Sequence, residues 1–322
     1  MSYASGGEPE DSTAVVSKRP LWTMLAALIL GACGIGLFFL PVDGVKFWTF
    51  DYLLFLATLA IVPMALFAKK GRLLRAVLLV ESLAYFGFLQ AACPRPTGAL
   101  ELAALHVFDD TPIVMHLLKV GILVLGGIMF SRYFCGWICP KGIIQEYIYR
   151  PSVGVKVPEK LDRVLKYGKY LSLVVLVAAP LIWHFRFFRE WGGPFKVIFN
   201  LDGSTFLIIY LSVVLVSSVF ISRAFCRYLC PIGGLLGLLA LVSHVRMRIK
   251  QDSCHACGKC EVACQVDAIV FEKGKGVTID RAECIMCREC ETACKWDCLE
   301  YSSSKKSRVN KSHEHIISTS EH

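Results

Sequence analysis

Cysteine is the residue type with which this chain can do chemistry, and its spacing says which chemistry. Cys254, Cys257, Cys260 and Cys264 form a C-x2-C-x2-C-x3-C run, and Cys284, Cys287, Cys290 and Cys294 repeat it 30 residues later, with Glu261 matching Glu291 and Ala263 matching Ala293. In such a run three closely spaced thiolates hold three irons of a cubane, and the fourth cysteine ligates the other cluster. One [4Fe-4S] cluster would therefore take Cys254, Cys257, Cys260 and Cys294, and a second Cys284, Cys287, Cys290 and Cys264. The competing zinc site would favour four thiolates in two C-x2-C pairs. Gln265 and Lys295 follow the fourth cysteines where this run usually carries proline, which leaves ligation intact. Cys298 is extra and reads as a small buried residue.

Four further cysteines lie in a second duplication. Ser131-Arg-Tyr-Phe-Cys135-Gly-Trp-Ile-Cys139-Pro140-Lys-Gly142 recurs 91 residues later as Ser222-Arg-Ala-Phe-Cys226-Arg-Tyr-Leu-Cys230-Pro231-Ile-Gly233, with seven identical positions. If helix continues through each copy, the two cysteines at i and i+4 share one face and the proline ends or kinks the segment. Cys135, Cys139, Cys226 and Cys230, brought together by pseudo-symmetric helices, would form one metal or redox site; packing alone is the alternative. Cys33 and Cys93 belong to neither pattern.

The elements that must position these thiols are apolar. Six segments, roughly Leu21–Val42, Phe47–Ala68, Leu73–Ala92, Pro112–Phe134, Tyr167–Phe188 and Ser204–Phe225, approach the ~20 residues a helix needs to cross a bilayer. The fifth spans only if Lys169 and Arg186 snorkel to the two interfaces; it is needed because the two C-x3-C-P copies end spans of the same direction. Ile232–Val245 is apolar but too short to span and reads as an interfacial or re-entrant helix. Lys69, Lys70, Arg72 and Arg75 between spans two and three, and Arg150, Lys156, Lys160, Arg163 and Lys166 between four and five, mark those loops as cytoplasmic. The alternate loops, one carrying Glu101, Asp109 and Asp110, face outward. Both termini and the eight-cysteine region then lie in the cytoplasm of a cell whose inner membrane holds the spans, in the reducing compartment thiolates need.

Composition agrees. Of 322 residues 55% are hydrophobic and 19% charged, with a mean hydropathy of +0.54, which is too apolar for a soluble domain. The net charge of +9 is uneven: Gln251 to Glu300 holds six Lys/Arg and ten Asp/Glu, about −4, which leaves +13 for the rest. That positive charge lies beside apolar spans, so it sets topology and argues against nucleic acid as a partner. Lys18, Arg19 and Leu30-Gly31-Ala32-Cys33 resemble a lipoprotein leader, but the apolar run continues to Val42, where a processed chain would turn polar. Ionisable residues inside spans are functional candidates, and Glu81, near the middle of span three, and His116, near the outer end of span four, are assigned a quinone or proton-relay role. Lys119 and His184 read as snorkelling or packing. No nucleophilic triad, phosphate loop or hydrolytic carboxylate pair is evident.

The expected architecture is a mainly α membrane bundle of about six transmembrane helices with a small C-terminal α+β ferredoxin domain holding two clusters. Residues 1–20 form a tail, 21–250 the membrane domain, 251–301 the ferredoxin domain and 302–322 a polar tail; Ala268–Phe271 and Leu299–Tyr301 supply small strands. Two C-x3-C-P-x-G repeats at helix ends followed by a twin-cluster ferredoxin resemble the NapH and MauN type of membrane polyferredoxin and the C-terminal part of NosR, over roughly Leu73 to Tyr301 and including Glu190-Trp191-Gly-Gly-Pro194. The resemblance implies electron transfer between the quinone pool and partner redox proteins, with membrane lipid and quinone as further partners. Spans one and two are additional to the four-span core of that family, and no flavin-attachment domain of the NosR kind precedes them. A membrane-bound maturation factor that reduces copper is the alternative, weakened by the absence of methionine clusters beside the C-x3-C-P elements; a redox-sensing scaffold is a third, for which no sensory domain is visible.

Overall fold

The computed structural model describes residues 58, 61–62, 71–89, 96–105, 114–155, 157–183, 193–200, 203–250, 253–272 and 276–302. The first predicted span, most of the second, both tails, Cys33, Cys93 and His184 lie outside the described residues. The chain divides into Met1–Leu74 and Arg75–His322. In the first unit Thr58 and Val62 are buried and Ile61 is exposed. All the duplicated cysteines belong to the second.

The structure is mostly helical. Helix α1 (Gly71–Glu81) passes directly into a π-helical stretch, Ser82–Leu89, and is followed by α2 (Pro96–Leu105) and α3 (Val114–Phe130). The first C-x3-C-P element comprises α4 (Tyr133–Trp137) and the start of α5 (Pro140–Ile148). Then come α6 (Glu159–Lys166), α7 (Gly168–Trp183), α8 (Lys196–Asn200) and α9 (Thr205–Phe220). The second element is α10 (Ala224–Tyr228) and the start of α11 (Pro231–Val242).

Among the described residues one helical stretch, Glu159–Ile182 across α6 and α7, is long and apolar enough to cross a membrane; Val120–Phe130, Thr205–Phe220 and Pro231–Val242 are shorter apolar helices. Two local placements differ from expectation. Lys169 is fully buried and pairs with Glu283 instead of snorkelling, because α7 carries it beneath the C-terminal domain. Glu101 lies buried within α2, a helix packed on α3 and α7, instead of in an exposed loop. Ile232–Val245 holds most of α11, which packs on α7 and α3 and leaves Leu238, Leu241 and Val242 exposed. Its Gly-Gly pair permits the close approach: a Cβ on Gly234 would lie 2.9 Å from the Lys169 carbonyl oxygen.

The C-terminal domain is a small α+β unit. Strand β1 (Arg246–Ile249) pairs antiparallel with β4 (Leu299–Ser302), Met247 opposite Tyr301, and β2 (Ile269–Glu272) pairs antiparallel with β3 (Gly276–Ile279), Val270 opposite Thr278. Helices α12 (Lys259–Val262) and α13 (Glu289–Ala293) join the pairs. The 30-residue duplication reaches the backbone: positive φ recurs at Ala256 and Met286, at Gly258 and Arg288, and at Asp267 and Asp297. Five of these six are not glycine, a strain that persists only where the surroundings dictate it, typically at binding loops.

Candidate iron–sulfur and thiol centre

The C-x3-C-P elements are built differently from a continuous helix. Cys135 and Cys226 sit in the short helices α4 and α10, whereas Cys139 and Cys230 are the extended N-cap residues of α5 and α11, with Pro140 and Pro231 in the first turn. The prolines open α5 and α11, since a residue at the first helical position needs no N–H donor, and the short helices before them stop, because the residue ahead of a proline is held out of the helical region. Phe134 O accepts from both Ile138 N and Cys139 N, and Phe225 O accepts from both Leu229 N and Cys230 N. The two elements thus share one fold.

They also interlock reciprocally. Arg223 of the second element donates to Cys135 O at 2.7 Å, and a Cβ on Gly142 would lie 2.8 Å from that guanidinium. Arg132 of the first element comes correspondingly close to Gly233, where a Cβ would lie 3.3 Å from its Nη2 and 3.0 Å from Cys226 O. The arginine and glycine repeated in both copies thus approach each other across the two elements in both directions, more tightly at Gly142 than at Gly233. The four thiols lie within electrostatic reach of one another, Cys226 of all the other three and Cys230 of Cys139. Gln145, wholly buried, donates to Cys226 Sγ at 3.1 Å and accepts from Phe225 N at 2.9 Å.

The C-terminal domain docks directly on the first element. Trp137 Nε1 donates to Met286 O at 2.9 Å, and a Cβ on Gly136 would fall 2.2 Å from Ile285 O, so only glycine admits this approach. Val266, Ala268 and Ile285 form an apolar cluster that packs against Cys135, Cys264, Cys284 and Cys287. Around it lie two ion-pair groups. Glu146 accepts from Arg75 Nη2 at 2.8 Å, from Arg223 and from Gln265 Nε2 at 2.9 Å, and Arg75 Nη1 donates to Glu289 Oε1 at 2.7 Å. Glu283 pairs with Arg132 at 3.1 Å and with Lys169. Burial opposes ionisation of both carboxylates, but Arg223 and Arg75 at Glu146, and Arg132 and Lys169 at Glu283, outweigh it and hold both below the usual carboxylate range. On the second element Arg227 reaches Asp267 at 2.6 Å and also pairs with Asp162.

A cavity with an otherwise mainly apolar lining has Cys264, Cys284, Cys287 and Cys290 all in its wall. Burial pushes Cys284 up to about 12 and Cys287 up to about 11, so these thiols ionise only with a cation to hold them. Backbone N–H groups also point at sulfur, as Ala268 N does at Cys264 Sγ, 3.2 Å away. Among the described residues no three His, Cys, Asp or Glu side chains converge on a single metal ion; the second set surrounds a volume, which is what a cubane fills. Of the other set, Cys257 is exposed and Cys254, Cys260 and Cys294 are partly exposed. Cys294 lies beside Cys298, on which Cys254 also acts electrostatically, so the fourth cysteine of the second run stands with the first run. The donor sets fit iron–sulfur clusters.

Of the quinone candidates, Glu81 is the last residue of α1, next to Ser82, whose hydroxyl donates to Ile138 O. His116 is in the first turn of α3, fourteen residues before its end, about 21 Å along the axis at the α-helical rise. Glu81 thus lies next in sequence to a residue bonded to the first C-x3-C-P element, not at mid-span as expected, whereas His116 is at the end of α3 away from that element. Arg75, Arg132, Arg223, Gln145, Glu146, Lys169 and Glu283 were not singled out from sequence as site residues. The repeated arginine was a usable signal for two of them; the partners of the others are remote in sequence.

A family model described as a 4Fe-4S binding domain matches residues 111–158 and 204–250, the two C-x3-C-P regions, and another of the same description matches residues 247–270. YccM of Escherichia coli (strain K12), named as an electron transport protein, is 33% identical over 168 residues, 46% of this chain and 45% of its own. The methylamine utilization ferredoxin-type protein MauN of Paracoccus denitrificans is 30% identical, covering 51% of this chain and 58% of its own, and the ferredoxin-type protein NapH of Haemophilus influenzae is 29% identical, covering 52% and 58%. The match thus spans about half the length of these relatives. No solved structure matches. With 4Fe-4S binding domains, duplicated C-x3-C-P elements and an eight-cysteine domain docked on them, the chain is similar to iron–sulfur proteins of the NapH/MauN polyferredoxin type.

Proposed function

We propose that this chain is an integral membrane electron-transfer protein that connects the quinone pool to a partner redox protein through two [4Fe-4S] clusters in its cytoplasmic domain, with the four C-x3-C-P thiols as a further redox or metal station between. Such clusters supply one-electron steps. Cys254, Cys257, Cys260 and Cys294 hold the solvent-facing one and Cys284, Cys287, Cys290 and Cys264 the inner one. The observation that carries this reading is the seating of the inner thiol set on the first C-x3-C-P element, through Trp137, Gly136 and the Val266–Ala268–Ile285 cluster. A mainly structural docking would not need the thiols of both sets at its centre.

Several observations support a membrane setting. Leu171 and Val174 on α7, and Ile209, Val213 and Val216 on α9, are between 59% and 67% exposed, an outward apolar surface too extensive for water. The basic loops set the cytoplasmic side. Quinone reduction or oxidation is assigned to the membrane helices, with Glu81 and His116 as proton-handling residues. The direction of flow follows the potentials of the partners.

The test is quinol-dependent reduction of purified protein. Cys139→Ser and Cys230→Ser should each block electron transfer from quinol while both clusters assemble and accept electrons from dithionite. Undiminished reduction in a variant with all four C-x3-C-P cysteines replaced by serine would remove these thiols from the route.

A further inference from the structure

Cys298 has no counterpart in the duplication. The equivalent position 30 residues earlier is Ala268, buried, with its backbone N–H donating to the preceding cysteine, Cys264 Sγ, at 3.2 Å. The second copy keeps the same backbone contact, from Cys298 N to Cys294 Sγ, and adds a thiol. That thiol is not idle packing: Cys298 is 5% exposed, its Sγ lies 3.0 Å from Cys294 Sγ, and Cys254 is near enough to act on it electrostatically. Cys254 and Cys294 belong to the two halves of the solvent-facing ligand set. Three thiols therefore meet where a four-cysteine set requires two, and they meet at the cluster whose Cys257 is exposed, not at the inner one covered by the C-x3-C-P element.

We propose that Cys298 is a reserve ligand of the solvent-facing cluster, able to take the iron held by Cys294. The inference rests on the two-cluster reading above. The exchange is a ligand substitution without oxidation or reduction: an iron–sulfur bond to Cys298 forms, the one to Cys294 breaks, and the Cys298 thiol proton passes to Cys294. A cluster open to solvent loses iron through a transiently freed corner, and a buried thiol already against the departing sulfur closes that corner again. Among the described residues Cys257 makes no such contact.

The experiment compares full-length, anaerobically purified chains by iron and acid-labile sulfide content and by electron paramagnetic resonance after dithionite reduction. Alanine is used because it offers no oxygen ligand. Wild type should hold about eight irons in two clusters. Cys294→Ala should keep both clusters, with a shifted signal for the solvent-facing one, and Cys298→Ala should also keep both. The Cys294→Ala/Cys298→Ala chain should fall to about four irons, as should Cys257→Ala, while the inner cluster's signal persists and reports the fold. A Cys294→Ala chain that already falls to the level of Cys257→Ala, or that cannot be recovered when Cys257→Ala can, overturns the proposal. A wild-type chain without two clusters would instead overturn the reading on which it rests.

Discussion

At the scale of single residues, the docking of the C-terminal domain hangs on contacts with no slack. Gly136 presses its backbone against Ile285 O, and adding one methyl puts a Cβ 2.2 Å from a carbonyl oxygen. Backbone cannot yield as a flexible side chain can, so Gly136→Ala should cost about 1–3 kcal/mol, the usual penalty for overpacking. Denaturant unfolding should show the loss and quinol-dependent reduction should slow; unchanged values in both would mean that the domain does not sit here. Lys169 is a second such point. It lies fully buried against Glu283, which Arg132 also contacts. Lys169→Met removes one cation from a buried carboxylate and should destabilise by about 3 kcal/mol, because the remaining charge loses its compensation. Mutating Glu283 to Gln in the same chain should recover part of that loss.

Elements rather than residues decide what the cysteines hold. The loops around α12 and α13 are short, strained at Met286, Arg288 and Asp297, and backed by two small sheets, so they have little core of their own. Small units of this kind draw their stability from their metal. Cys287→Ala should therefore lose about half of roughly eight irons together with the fold around α13, read as loss of one paramagnetic signal and as proteolysis within 276–302. Full iron content in that variant would refute the ligand assignment. The paired helices α4–α5 and α10–α11 behave differently. Their geometry is set by proline-opened helices and by the crossed Arg132 and Arg223 contacts, so serine at the four cysteines should leave them folded.

For the whole molecule, the proposed membrane orientation, with the basic loops in the cytoplasm, makes a sidedness prediction. An impermeant thiol reagent applied to intact cells should modify Cys93, if any cysteine, and should miss Cys135, Cys226, the ferredoxin cysteines and a cysteine engineered at Ser303. Labelling of the engineered position would reverse the orientation and remove the cytoplasmic assignment with it.

Both duplications and the α+β unit with strands near Ala268–Phe271 and Leu299–Tyr301 were legible in the chain, because repeated motifs and short strands depend on spacing over a few residues. Even Gly142 and Gly233 were marked by their repetition, although not the reason for them. What no local pattern contains is which distant surfaces meet. Arg75 reads as a loop charge until Glu146 and Glu289 are placed against it, and Lys169 as an interfacial lysine until Glu283 covers it. The seating of the second thiol set on Trp137 depends on residues about 150 positions apart. Spacing along the chain determined what chemistry the cysteines could do. Only the closing of those long loops, driven by burial of apolar surface and completed by paired charges, decided that the two sets of cysteines would share one centre.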